Sequence, residues 1–158
     1  MAREILIVWV GRNQRDDWEA LCSRYRERIG HFTSIRDVPV RIRAEGPESV
    51  RVQAEGEALM AALPERCWTV ALDRKGRRTG SRDLADQLTR WRDEWPHSVA
   101  FLLGSDLGLS AELKASARQV LSLGDMTLPH QLARLVLYEQ VYRGLSIGAG
   151  IKYHREPL

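Results

Sequence analysis

Two short apolar runs, each cut off by a glycine turn and followed by a helix start, constrain this chain more than any other feature. Val99-Ala-Phe-Leu-Leu103 breaks at Gly104, and Gln119-Val-Leu-Ser-Leu123 breaks at Gly124. Ser110 follows the first turn as a residue suited to an N-cap, and Pro129 follows the second as one suited to a first helical position. Residues 111–118 between them are mostly helical in character. Strand, glycine turn and helix N-terminus is the unit from which α/β proteins build ligand crevices at strand carboxyl ends. Two such units so close in sequence predict that both turns face one ligand.

The rest of the chain repeats the alternation. Ile5–Val10 is β-rich and apolar throughout, as expected of a parallel strand covered on both faces, and it closes at Gly11. Asp16 or Asp17 caps a helix whose inner face carries Trp18, Leu21, Cys22 and Tyr25. Ser34–Val40 is weakly strand-like and ends at Pro39. Arg41–Pro47 is a loop, Ser49–Leu63 a helix stopped by Pro64, and Trp68–Leu72 a clear strand. Asp73–Arg78 places four basic residues around Gly76; it reads as a solvated turn or, alternatively, as a phosphate-contacting loop. Ser81 is assigned as the cap of the next helix, in which Leu84, Leu88, Trp91 and Trp95 form one apolar stripe, a core face rather than a stacking platform. A last helix from Pro129 to about Leu145 is apolar nearly all round, which points to burial on several sides and to a subunit interface. The polar, aromatic and basic tail Gly150–Leu158 is either a frayed end or a substrate-contacting arm. Strands alternating with helices predict an α/β fold with a mostly parallel sheet of about five strands flanked by helices.

With 158 residues the chain is expected to form one domain, residues 1–158. A net charge of +3 permits a nucleic-acid partner without requiring one. Cys22 and Cys67 are too few for a disulfide framework and offer no C-x-x-C zinc pair, so buried free thiols in a reducing compartment are expected. The apolar run Ile5–Val10 is too short for a signal-peptide core, and no run reaches the length of a bilayer span. A soluble, cytoplasmic protein without a membrane partner follows as the expectation.

The chemistry narrows by exclusion. A Walker A loop and a G-x-G-x-x-G after the first strand are missing, and the one G-x-S-x-G, Gly144-Leu-Ser-Ile-Gly148, falls at the end of the last helix rather than at the strand-to-helix turn a nucleophile elbow needs. His31, His97, His130 and His154 are scattered singly, so no metal site is expected. What remains is a glycine-lined, largely apolar pocket formed by Leu72, Gly104 and the Leu123–Leu128 loop. It suits an adenine ring held by backbone groups between apolar side chains, with no provision for phosphates. S-adenosylmethionine is a ligand of that description.

Phe101–Ser110, Leu121-Ser-Leu-Gly-Asp-Met-Thr-Leu-Pro-His130, the helical segment Leu135–Arg143 and the terminal Tyr153-His-Arg155 together resemble the RlmH family of SPOUT-class ribosomal RNA methyltransferases. The resemblance runs the length of the chain, through Val10-Gly11, Glu55-Gly-Glu57 and Ala71-Leu-Asp73. It implies a SPOUT-type α/β knot with a C-terminal trefoil, a homodimer, and S-adenosylmethionine bound in the knot. It also implies methylation of ring nitrogen 3 of a pseudouridine in large-subunit (23S) ribosomal RNA, on the assembled ribosome. By motif position, Leu72, Gly104, Leu123, Gly124, Asp125, Met126, Thr127 and Leu128 correspond to cofactor-binding residues. Arg143, Tyr153 and His154 correspond to residues of catalysis or substrate placement, with His130 either a further site residue or a brace of the loop. One departure stands out: the family has two glycines at the first turn, and here the second is Ser105. A positive φ at that residue would cost about 1 kcal/mol or more.

The resemblance frames a mechanism in which Tyr153 or His154 takes a proton from the ring nitrogen and Arg143 stabilises negative charge on the flanking carbonyl oxygens. Two rival functions are carried forward: a SPOUT methyltransferase acting on another RNA such as tRNA, and a non-enzymatic RNA-binding or ribosome-assembly module.

Overall fold

Glu4–Val10 forms the first strand, β1, and Ile5 onward is buried on both faces of the sheet. The structure, a computed structural model, describes residues 3–156; the last two residues of the tail read above lie outside that range. The chain continues as α1 (Asp17–Ile29), β2 (Ser34–Val40), α2 (Glu48–Ala61), β3 (Trp68–Arg78), α3 (Ser81–Glu94), β4 (Val99–Leu103), α4 (Ala111–Ser116), β5 (Gln119–Ser122) and α5 (His130–Gly148). Every strand pairing is parallel, and the strand order is β2-β1-β4-β3-β5.

Side chains alternate across the sheet with the period of two that a strand imposes. Ile5, Ile7, Trp9, Val70 and Phe101 face a layer made by α1, α3 and α5. Leu6, Val8, Val10, Ala71 and Leu102 face α2 and α4. Of the stripe Leu84, Leu88, Trp91 and Trp95, the first three are core, as their spacing predicts, while Trp95 caps the end of α3 and is only half-buried against that core. In the first layer α5 lies between α1 and α3. Leu137, Tyr138 and Val141 of α5 are fully covered there, and each such side chain stabilises the fold by roughly 1.5–3 kcal/mol.

Several local expectations are refined. Asp16 is the cap of α1, accepting from the Glu19 N–H at 2.9 Å. The cap of α3 is Gly80, whose N–H donates to Asp83 at 3.2 Å, while Ser81 is the first helical residue and its hydroxyl donates to Gln140 at 2.6 Å. Pro39 is accommodated inside β2 because β2 is an edge strand, the one sheet position where a missing N–H costs no ladder bond. The basic segment Asp73–Arg78 is not a free turn. It continues β3 past an irregularity after Leu72, so that Arg77 pairs with Leu121 and Arg78 with Ser122 of β5. The tail folds back on the helical layer as far as it is described: the Tyr153 ring lies 4.7 Å from that of Tyr142.

A buried ionic network ties the elements around β1 together. Arg134 of α5, 2% exposed, bonds to Glu19 of α1 at 2.6 Å and lies 2.9 Å from Asp37 of β2. Asp37 also accepts from Tyr138 Oη at 2.5 Å and Trp9 Nε1 at 3.0 Å. Burial alone would raise the Glu19 carboxyl, but hydrogen bonds from Arg134 and Arg26 hold it below its ordinary range.

The strand order forces one long traverse. β5 is the edge strand beyond β3, yet α5 packs in the middle of the helical layer over the other side of the sheet. Residues 123–129 therefore cross the carboxyl ends of β3 and β4 before α5 begins.

Among the described residues no helix is long and apolar enough to cross a membrane, and no three His, Cys, Asp or Glu side chains are grouped as metal ligands would be.

Candidate functional site

The carboxyl ends of β3 and β4 and the traverse after β5 enclose a cavity of about 630 Å³, within the range of small-molecule and cofactor sites. Its β4 wall is the first glycine turn. A Cβ on Gly104 would stand 2.4 Å from the Gly108 carbonyl oxygen, a distance that only glycine avoids. The backbone there is pinned in a tight loop in which the Gly108 N–H donates to the Ser105 carbonyl at 2.9 Å. Ser105 is free of the strain a second glycine would have relieved, because its φ is not positive. Its hydroxyl accepts from the Leu107 N–H at 3.2 Å and donates to Glu55 of α2. Serine thus does with side-chain hydrogen bonds what a flexible glycine leaves to the backbone.

The opposite wall is the traverse. Gly124 adopts φ +144, a conformation that L side chains rarely tolerate. The Gly124 N–H and carbonyl both bond the Ser122 hydroxyl, which also donates to the Arg74 carbonyl at 2.9 Å. β3 supplies the floor at Leu72 and Asp73. Burial would raise the Asp73 carboxyl, but hydrogen bonds from Lys114, at 2.8 Å, and from the Lys75 N–H hold it below its ordinary range.

Of the residues matched to cofactor binding, Leu72, Gly104, Leu123, Gly124, Met126, Thr127 and Leu128 line this cavity. Asp125 does not; it turns outward and pairs with Arg78, Nε to Oδ1 at 3.0 Å. His130 lines the cavity too, with its Nδ1 3.0 Å from Asp106 Oδ1. Met126 projects from the loop with 83% exposure.

Arg143, Tyr153 and His154 come together, but elsewhere. Glu139 is their hub: it accepts from Arg143 Nε at 3.0 Å and from Tyr153 Oη at 3.1 Å. Arg143 Nη1 lies 3.1 Å from His154 Nδ1, and its guanidinium stands 4.8 Å from the centre of the Tyr153 ring. Burial, with help from Tyr25 and the Glu139 carboxylate, raises the Tyr153 phenol well above its ordinary value, so it is a hydrogen-bond donor at neutral pH. Thirteen residues of α5 separate Arg143 from His130, about 20 Å at 1.5 Å per residue. None of the three lines the cavity of its own chain.

Three contributors are assigned no role by the sequence, although Glu55 and Asp106 lie in segments that carry the resemblance. Glu55 is a buried carboxylate behind the first turn; its signal is an acidic residue on an inward helical position beside Gly56. Asp106 faces His130, and Lys114 neutralises Asp73. Lys114 reads in sequence as an ordinary surface charge.

The cavity fits an adenosine-type cofactor. Leucines from three segments cover it, glycine backbones offer amide and carbonyl groups on two sides, and the missing Cβ of Gly104 keeps the first turn closed tightly enough to form a wall. A parallel α/β sheet whose traversing C-terminal segment closes such a cavity defines a cofactor-dependent enzyme of the α/β class. The family model described as "Predicted SPOUT methyltransferase" matches residues 3–154, and the chain belongs to that family. Among curated relatives, it is 36% identical over 156 residues to ribosomal RNA large subunit methyltransferase H of Maridesulfovibrio salexigens, covering 96% of this chain and 97% of that protein. It is 39% identical over 160 residues to the protein of the same name from Nitrobacter hamburgensis, covering 96% and 98%. Among solved structures the fold is shared with a probable methyltransferase of Bordetella pertussis (TM-score 0.55, 17% identity, 91% of this chain and 96% of that one). It is shared too with a probable methylase family protein of Haemophilus influenzae (TM-score 0.55, 14% identity, 99% and 72%).

Proposed function

We propose that this chain is an S-adenosylmethionine-dependent methyltransferase of large-subunit ribosomal RNA. We propose further that it works in the cytoplasm as a homodimeric single-domain enzyme, methylating ring nitrogen 3 of a pseudouridine on the assembled ribosome. The observation that carries the reading is end-to-end identity of 36–39% with proteins named ribosomal RNA large subunit methyltransferase H, in a chain with a cofactor-sized cavity at the expected loops. The pseudouridine and the ring position rest on the resemblance of Leu121–His130 and Tyr153–Arg155 to the RlmH family. The trefoil knot belongs to the same proposal, supported by the traverse of residues 123–129 across the ends of β3 and β4.

The cofactor, when bound, supplies an electrophilic methyl group, so the protein's task is chiefly alignment. Leu72, Leu123 and Leu128 hold the adenosine portion away from water, and the glycine turns supply the backbone groups that recognise its edge. Arg143 holds the target base through its carbonyl oxygens and stabilises the charge that develops there. Tyr153, protonated, donates a hydrogen bond that orients the base, which leaves His154 as the proton acceptor. Because the Arg143 cluster stands far from the cavity in its own chain, a homodimer offers the arrangement that joins them: the cavity of one protomer completed by Arg143, Tyr153 and His154 of its partner.

The test is methyl transfer from labelled S-adenosylmethionine to ribosomes from cells lacking this protein, with the product mapped by mass spectrometry. One methyl at a large-subunit pseudouridine is expected. Methylation of free tRNA instead moves the substrate assignment to another RNA. Cofactor binding without any transfer, or no cofactor binding at all, leaves only an RNA-binding module.

A further inference from the structure

On the sheet edge away from α1 and β2, the start of β3, the start of β5 and the end of α3 frame a second concavity, of about 350 Å³. Its floor is aromatic: Trp68, Trp91 and Trp95 line it, with the Trp68 and Trp95 rings 5.4 Å apart and edge to face. Its rim is cationic. Arg77 and Arg90 line it, and the Arg118 guanidinium lies over both Trp68 and Trp95, 4.8 and 5.0 Å from the ring centres. Gln87 and Gln119, bonded to each other at 2.7 Å, close one side. Glu94 is the single carboxylate in the lining, against Arg77 and Arg90 there and Arg118 over the aromatic floor.

Some exposed arginines have carboxylate partners, Arg36 with Glu4, Arg78 with Asp125, Arg82 with Glu156 and Arg92 with Asp93; others, such as Arg12, Arg24 and Arg43, have none within 4.0 Å among the described residues. Arg77, Arg90 and Arg118 are exposed, and among the described residues none has a carboxylate within 4.0 Å. Three uncompensated guanidinium groups above a tryptophan floor are complementary to a polyanion that carries flat rings. Single-stranded nucleic acid has that chemistry: its phosphates bind arginine, and an unstacked base binds an aromatic face. An acidic protein segment would satisfy the arginines and leave the aromatic floor unused. β5 links this groove to the cofactor cavity, since Gln119 lies in one and Leu123 in the other, four residues or about 13 Å apart along a strand.

We propose that the Trp68–Trp95–Arg118 groove binds an unpaired nucleotide of the RNA substrate, stacking its base on the tryptophans and holding the flanking phosphates with Arg77, Arg90 and Arg118. This rests on the reading of the chain as a ribosomal RNA methyltransferase and assigns it a docking surface separate from the cofactor cavity.

Three tryptophans in the groove make binding directly readable as quenching of intrinsic fluorescence by an unstructured oligouridine. Saturable quenching that weakens with salt is expected. In Arg77→Gln/Arg90→Gln/Arg118→Gln the affinity should fall at least about tenfold, and the slope of log affinity against log salt should shrink by about 2, for three phosphate contacts at ~0.7 each. S-adenosylmethionine binding by calorimetry should be unchanged, since these exposed side chains do not line that cavity. Unchanged affinity and slope in the triple variant would overturn the proposal, as would equal quenching by polyglutamate, which would make the partner an acidic protein. The oligouridine titration needs no methyl transfer, so the two readings fail separately. A wild type that methylates no ribosomal RNA but loses oligouridine through these substitutions sinks the assigned activity alone. Ribosome methylation at wild-type kcat/KM by the triple variant sinks the groove alone.

Discussion

Arg134 and Asp37 lie 97 residues apart in sequence and 2.9 Å apart in the fold, joining α5 to the edge strand β2 under cover of Trp9, whose ring centre is 4.2 Å from the guanidinium. The same guanidinium holds Glu19 of α1. One side chain therefore fixes the start of α5 against two other elements, and α5 begins where the cofactor cavity ends.

Replacing Arg134 with alanine strands Asp37 and Glu19 in a mostly covered site. Loss of about 3–5 kcal/mol of stability is expected, read from urea unfolding. The deficit should depend on pH in a defined direction. Hydrogen bonds from Arg134 and Arg26 hold the Glu19 carboxyl below its ordinary range in the fold, so its stabilising contribution is complete above the ordinary carboxylate pKa and disappears as pH falls through the lower folded one. Wild type and variant should therefore converge on acidification. A constant gap from neutral to acid pH would show that Glu19 takes no part.

Gly104→Ala puts a methyl group 2.4 Å from the Gly108 carbonyl oxygen, and the first turn must open to admit it. A strain of about 1–3 kcal/mol borne by the cavity wall corresponds to an affinity for S-adenosylmethionine weaker by about fivefold to about 150-fold, measured by calorimetric titration. Ser105→Gly should be nearly silent in the same assay if the Glu55 hydrogen bond only braces the loop.

The proposed sharing of sites between protomers has an arithmetic signature. With S-adenosylmethionine held well below the weakened Kd, Gly104→Ala should lose most of its methyl transfer, and Arg143→Ala should lose it entirely. Co-expressed, they should recover about a quarter of wild-type activity, because half of randomly paired two-fold dimers are mixed and each mixed dimer has one intact composite site. No recovery would place cavity and Arg143 cluster in the same chain's site.

Both cysteines should be inert in the folded protein. Burial pushes the Cys22 and Cys67 thiols up to about 11, so at pH 8 only about one in a thousand is the reactive thiolate. Iodoacetamide should label neither until denaturant is added, as read by intact mass. Labelling of Cys67 at native pH 8 would mean that its strand end opens.

Sequence and structure agree where burial acts on uninterrupted residues. Ile5–Val10 and Val99–Leu103 read as two-faced parallel strands because both of their faces are covered. The glycine turns at Gly104 and Gly124 read as ligand loops because close approach and positive φ leave few other residues possible. The continuation of β3 through Arg78 is not legible locally. Arg74, Lys75, Arg77 and Arg78 have the composition of a solvated turn, and the partner that makes them a strand, β5, lies more than 40 residues further on. The Arg134–Asp37–Glu19 network is hidden for the same reason: each member looks like a surface charge until the fold brings its partners to it. Arg143, Tyr153 and His154 are grouped by the fold around Glu139, a residue without any motif, and their distance from the cavity can be read only once α5 has a length and direction.

The traverse from β5 to α5 has a consequence for the life of the newly made chain. A nascent polypeptide complete through α4 already has β1 to β4, yet it lacks one wall of the cofactor cavity and the central helix of one covering layer. Methyl-donor binding consequently waits until the traverse and the start of α5 have been made. A chain cut short before residue 123 is blind to the donor, with Trp9, Phe101 and Leu103 uncovered, a form that proteases and chaperones can tell from one that carries α5.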